Sequence, residues 1–175
     1  TLEPSSAASD VYKRQHFTEQ GDEWMGLMVK LGCLTGMRQS EITSLPLSCI
    51  EWFDDRNEIW LPPEITKTKK GRMVSLAAEG AWKTAIVLRD CIGREFTHRR
   101  FYDRWWDAKH DLGYGKDEWF KFHATRHFAA TNMASAGKNA LTVADQLGHS
   151  SIATTNKYYH GDSNARANAT SSLSI

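Results

Sequence analysis

All of the strong strand signal in this chain falls in one block, residues 49–76, and helical patterns flank it on both sides. CIEWF (49–53), the turn DDRN (54–57) and EIWL (58–61) read as a hairpin, with β-branched and aromatic runs around turn residues. RMVSL (72–76) reads as a third strand. KTKKG (67–71) is then the tip joining strands two and three; Gly71 suits the turn, and lysines at a tip reach outward. The expected class is α+β, mainly α-helical, with a small three-stranded antiparallel sheet on one side.

The helices announce themselves by spacing. From Thr18 onward, Trp24, Leu27, Met28, Leu31 and Leu34 recur every three or four residues, which predicts a helix stopping near Gly36. A second helix starts near Ser40, with Ser40 as its cap and Glu41 favourable in the first turn. Ala77–Leu88 follows, then Arg99–Leu112 with Phe101, Trp105, Ala108 and Leu112 on one stripe; GYGKD (113–117) is a loop. Ala124–Ala136 ends at Gly137, and Asn139–Leu147 ends at Gly148, a good residue just past a helix. Ser150 caps a last helix through about Tyr159. Residues 1–15 are small, polar and aperiodic, and read as a loose lead-in, either linker or non-native scar. Residues 16–160 form one domain large enough to bury a core, and 161–175 form a polar tail.

Composition narrows the class. With 41% hydrophobic and 25% charged residues the chain is globular rather than disordered. No apolar run approaches a membrane span, and nothing reads as a secretory signal. Cys33, Cys49 and Cys91 lack metal-type spacing and read as buried thiols in a reducing cytoplasm. The net charge of +1 argues mildly against a nucleic-acid binder. Locally the charge is concentrated: Lys67, Lys69, Lys70 and Arg72 face only Glu64, and Arg99, Arg100, Arg104 and Lys109 face two aspartates. Taken alone, such runs are solvated faces.

The chemistry gathers around Tyr158 in LGHSSIATTNKYYH (147–160). Upstream stand Arg38 in TGMRQSEI, Lys67 in TKTKKGRMVSL, His123 and Arg126 in HATR, and His149. One nucleophile with five cationic or proton-transferring partners suits metal-free attack on a phosphodiester. A free tyrosine ionises near pH 10, so at neutral pH the phenolate carries a deficit of roughly 4 kcal/mol. Fixed cations lower that cost. Arginines grip phosphate oxygens bidentately and stabilise the charge that builds in the transition state. A lysine can protonate the departing oxygen, and histidines can shuttle protons or donate to the phosphate. Each residue alone has a plainer reading. Arg38 beside Glu41 suits an ion pair, His123 and Arg126 share a helix face by spacing alone, and His149 suits a helix end. Lys67 competes with Lys69 and Lys70, and Tyr158 with Tyr159. His123 and His127 have zinc-ligand spacing, but Ala124 stands where the HExxH glutamate belongs.

Together the motifs resemble the tyrosine recombinases, the phage-integrase family. TGMRQSE matches the family's arginine box, with Glu41 as the acidic partner. HATR matches its H-x-x-R box, followed by the habitual His127, and departs from the common HDLR only at variable positions. LGHSSIATTNKY matches the box that gives His149 and Tyr158, and Lys67 best fits the hairpin lysine. The matches run in family order over residues 33–160.

The resemblance implies a reaction and a set of roles. Tyr158 attacks the scissile phosphate and forms a 3′-phosphotyrosyl link, freeing a 5′-hydroxyl; a partner strand's hydroxyl reverses the step. Arg38, Arg126 and His149 hold the phosphate, Lys67 protonates the leaving oxygen, and His123 assists proton transfer at the tyrosine. Glu41 orients Arg38, and Lys69, Lys70 and Arg72 contact DNA. No cofactor and no metal is expected. The partners are double-stranded recombination sites, with a homotetramer on DNA, a monomer without it, and residues 161–175 as the segment exchanged between protomers. The family's N-terminal DNA-clamping domain has no counterpart in this sequence, so a catalytic domain alone is expected, cytoplasmic, bacterial or phage-encoded, and acting on nucleoid DNA. Three other readings stand beside it: relaxation of supercoils in the manner of a type IB topoisomerase, a catalytically idle DNA-binding module, and a zinc hydrolase using His123 and His127.

Overall fold

The computed structural model describes residues 23–45, 57–91, 98–118 and 120–159. In chain order these form α1 (Glu23–Thr35), α2 (Gln39–Thr43), β1 (Glu58–Leu61), β2 (Arg72–Ser75), α3 (Ala81–Cys91), α4 (His98–Asp111), α5 (His123–Ser135), α6 (Ala140–Leu147) and α7 (Ile152–Asn156). The mainly helical α+β class is as expected. Among the described residues the sheet has two antiparallel strands, with Glu58 opposite Ser75 and Leu61 opposite Arg72. The segment 49–53, the expected first strand, lies outside the described residues, as do 1–15 and 161–175.

The central element is α1. Its stripe of Trp24, Met28 and Leu31 is buried, but so are Met25, Val29 and Thr35. A helix apolar on several faces is one covered on several sides; here α3 and α5 both pack on it. Gly32 permits the approach of α5, since a Cβ there would stand 2.7 Å from Thr125 Oγ1. On α4, Phe101, Trp105 and Ala108 face the core as their spacing predicts. Phe101 and Trp105 stack at 5.6 Å, Phe122 meets Phe101 edge-on at 5.5 Å, and Trp105 donates its indole N–H to the Phe120 carbonyl at 3.3 Å. This aromatic layer fixes the segment that leads into α5. A smaller cluster of Ala130, Val143 and Leu147, with Met133, Tyr158 and Tyr159 against it, joins α5 to α6 and the chain's last described turn.

Several boundaries differ from the expected ones. Ser40 is not the cap of α2: Arg38 holds that place, and its backbone N–H donates to Glu41 Oε2 at 2.8 Å. The helix expected from Ala77 begins at Ala81, because Gly80 at φ +78 forms a turn first. Ser151, not Ser150, caps α7, accepting from the Ala153 N–H, and α7 ends at Asn156 rather than Tyr159. Tyr158 therefore sits in the turn after α7, its N–H bonded to the Thr155 carbonyl at 3.0 Å. Cys33 is half-buried rather than fully enclosed; Cys49 lies outside the described residues. Among the described residues no helix is long and apolar enough to cross a membrane.

Candidate active site

Two glycines at positive φ build the floor of the site. Gly36 (φ +71) ends α1, and a Cβ on it would run into the Leu147 side chain. Gly148 (φ +67) ends α6, and a Cβ on it would stand 2.8 Å from Arg72 Cδ. Both turns leave carbonyl oxygens that a helix would have used internally. Arg126, on α5 and 1% exposed, takes up two such oxygens: it donates to Gly36 O at 2.8 Å and to Leu147 O. One guanidinium thus ties the TG turn to the LGH turn.

A buried ion cluster lies beside it. Glu41 is wholly enclosed. Arg72 meets it bidentately, at 2.8 and 2.9 Å, and Arg38 Nη1 reaches Oε1 at 2.9 Å. Burial alone raises a carboxyl pKa, yet the contacts with Arg72 and Arg38 outweigh it and hold Glu41 below its ordinary value. Arg72 Nε also donates to the Gln146 carbonyl at 3.3 Å. Gln146 completes the frame: its amide donates to Thr35 O and Ser75 O and accepts from the Ser75 N–H. Arg72 therefore differs from the expected DNA contact. Its side chain is 10% exposed and its donors are spent inside the protein. Arg38, at 17%, keeps more of its guanidinium toward solvent.

The histidines stand around this positive centre. His123 opens α5, and burial, then the charges of His127, Arg126, Arg38 and Lys67, bring its pKa to about 4. His149 follows Gly148; burial, then Arg126, Arg38, His123 and Arg72, bring it also to about 4. Both rings are neutral at neutral pH. His149 Nδ1 lies 2.7 Å from Thr155 Oγ1, so Thr155, itself fully buried, fixes the ring. Burial and the neighbouring cations bring Arg126 down to about 9, which leaves it charged. In all three burial is the larger cause, and the neighbouring positive charges add to it in the same direction, a crowding of cations that suits an anion.

The two tyrosines separate clearly. Tyr158's hydroxyl is 2.6 Å from His127 Nδ1, and Arg126 counteracts the rise that burial gives its pKa. Tyr159's hydroxyl donates to the Lys138 carbonyl at 2.7 Å, away from this cluster. His127 and Thr155 are the polar partners that residue-by-residue reading did not assign. His127 was visible as half of a zinc-like spacing and as the habitual residue after the H-x-x-R box, and Thr155 as part of the LGHSSIATTNKY box, but neither was given a role. Among the described residues no group of three or more His, Cys, Asp or Glu side chains is placed to hold a metal ion.

Lys67, Lys69 and Lys70 lie in the connection from β1 to β2, all exposed. The connection is not slack: the buried Thr66 hydroxyl sits 2.9 Å from Lys70 O and 3.1 Å from Pro63 O. Lys69 donates to Glu64 O at 3.3 Å. Lys70 lines a cleft of about 410 Å³ with Arg72, Gly148 and His149. Lys67 is the lysine whose charge is felt at His123.

The sequence matches the phage integrase family over residues 9–165. The chain belongs to that family. Among solved structures it is similar to the catalytic domain of bacteriophage HP1 integrase, at 23% identity and a TM-score of 0.70, covering 94% of this chain and 91% of that one. The Tn1549 transposon integrase, in complex with circular intermediate DNA, aligns at 17% identity and TM-score 0.72 over 99% of this chain and 66% of its own. XerA recombinase aligns at 24% and 0.63, over 98% of this chain and 64% of its own. The chain thus spans about two thirds of those last two. No curated protein matches the sequence significantly. The fold is that of an integrase catalytic domain, and by family the chain is a tyrosine-type site-specific recombinase domain.

Proposed function

We propose that this domain cleaves and rejoins double-stranded DNA through a covalent link to Tyr158, without a cofactor. The observation that carries the reading is the convergence, from turns far apart in sequence, of Arg38, His123 and His149 on the buried Arg126, whose charge is in turn felt at Tyr158, the tyrosine whose hydroxyl is not spent on a backbone carbonyl. In the reaction Arg38 and Arg126 stabilise the charge on the non-bridging oxygens. His149, with Nδ1 held by Thr155, presents its other nitrogen as a donor to the phosphate. Lys67 protonates the leaving 5′-oxygen, which its influence on His123 supports. His123, neutral and beside the same phosphate, assists proton movement. Glu41 and Arg72 act by holding Arg38 and the β2 edge in place. Lys69 and Lys70 supply phosphate contacts from the exposed loop, giving a binding that weakens with salt.

The DNA complexes of the Tn1549 integrase, with circular intermediate DNA, support DNA as the partner. The wider cycle we infer is strand exchange by four protomers on two sites. A nicked substrate that loses its leaving strand tests the chemistry. In the presence of chelator the wild-type domain should accumulate a protein–DNA adduct, and Tyr158→Phe should form none. Adduct that disappears with chelator would revive the zinc reading. Supercoil relaxation without paired-site recombination would favour the topoisomerase-like one.

A further inference from the structure

We propose that His127, one position beyond the H-x-x-R box, is the catalytic base that takes the proton from Tyr158. The inference rests on the reading of Tyr158 as nucleophile. Three observations carry it. The first is contact: Nδ1 lies 2.6 Å from the tyrosine hydroxyl oxygen, within the reach a proton-transferring pair needs. The second is direction. His127 and Tyr158 come from different elements, α5 and the turn after α7, with ring centroids 5.9 Å apart, so the pairing is made by the fold and not by local sequence. The third is an exit for the proton. His127 lines an open cleft of about 200 Å³ with Glu118, Lys121, His123 and Ala124, and its ring meets that of His123 edge-on at 4.8 Å. His123, which the family resemblance implies as the tyrosine's proton-transfer partner, stands one step further along this path.

With the ring proton on Nε2, Nδ1 accepts the hydroxyl hydrogen bond. As the reaction proceeds, the Tyr158 O–H bond breaks and the proton moves to Nδ1. The phenolate oxygen bonds to phosphorus, the bond from phosphorus to the 5′-oxygen breaks, and that oxygen takes a proton from Lys67. The imidazolium so formed faces Arg126 and His123 on its own helix and Lys121 across the cleft, with Glu118 the one carboxylate lining it, an environment that favours passing the proton on. On rejoining, the same ring returns a proton to the tyrosine.

The test measures the rate of adduct formation on the nicked substrate for wild type, His127→Ala, His127→Asn and Tyr158→Phe, with thermal melting of each. His127→Ala should slow adduct formation about a hundredfold, the usual worth of a positioned base. His127→Asn, which keeps an acceptor but cannot take a proton, should be equally slow, and added imidazole should restore part of the His127→Ala rate. Imidazole rescue also separates lost chemistry from lost folding. A His127→Asn rate equal to wild type, or a His127→Ala rate that is unchanged or unmoved by imidazole, overturns the assignment. Absence of adduct in the wild type, or adduct persisting in Tyr158→Phe, instead overturns the nucleophile itself.

Discussion

The two halves of this site are held in opposite ways. Arg126, Glu41 and Arg72 are enclosed, and their hydrogen bonds bind the ends of α1 and α6 to β2. The lysines between β1 and β2 are exposed, on a loop anchored from within chiefly by the buried Thr66. A group that stabilises a transition state gains from being fixed before the substrate arrives. A group that delivers a proton to a departing oxygen must follow that oxygen. On the proposed reading, the contrast gives preorganisation to the arginines and reach to the lysine.

The largest effect should come from breaking the enclosed half. Arg126→Ala strands two buried carbonyls, at about 1–3 kcal/mol each, and should lower adduct formation by at least ~10²–10³-fold. Unchanged melting together with unchanged cleavage would dissolve the contrast. Next comes the ion cluster. Arg72→Met leaves Glu41 with one guanidinium and should cost about 3 kcal/mol of stability. Glu41→Gln/Arg72→Met should cost less than the sum of the single changes, with a coupling of about 1–3 kcal/mol in a denaturation cycle. Strict additivity would mean the cluster does not act as a unit.

The exposed half should respond differently. Lys67→Ala should slow cleavage about a hundredfold while stability stays within ~0.5 kcal/mol. Lys69→Ala and Lys70→Ala should mainly weaken DNA binding and reduce its salt dependence. If Lys70→Ala carries the cleavage defect, the proton donor is the lysine of the His149 cleft. A further effect is on pH. His123 and His149 have folded-state pKa values of about 4 against an ordinary 6.5, so the unfolded chain takes up protons first as pH falls. Their contribution is present above pH 6.5 and is lost on the way down to about 4, so melting at pH 5 should lie below melting at pH 7.

What was legible in the sequence was mostly local. The α1 and α4 stripes and the glycine stops after α1, α5 and α6 follow from spacing and turn chemistry, and the structure keeps them. What escaped was long-range. Gly36 and Gly148 read as helix ends, but nothing in their neighbourhoods says that Arg126 will claim the carbonyls of Gly36 and Leu147. Arg72 sits in a basic run and reads as a DNA contact, because its partner Glu41 is separated from it by the whole sheet segment. Ser150 and Ser151 are equivalent cap formers, and only the backbone geometry chooses between them. Lys67 remains the site residue least fixed by local signal, since three lysines share its loop.

The most direct measurement maps the covalent link. The wild-type adduct on the nicked substrate is digested with protease and nuclease, and the residue carrying the nucleotide is located by mass spectrometry. The account predicts a phosphodiester on Tyr158. A nucleotide on Tyr159 or any other residue would contradict it.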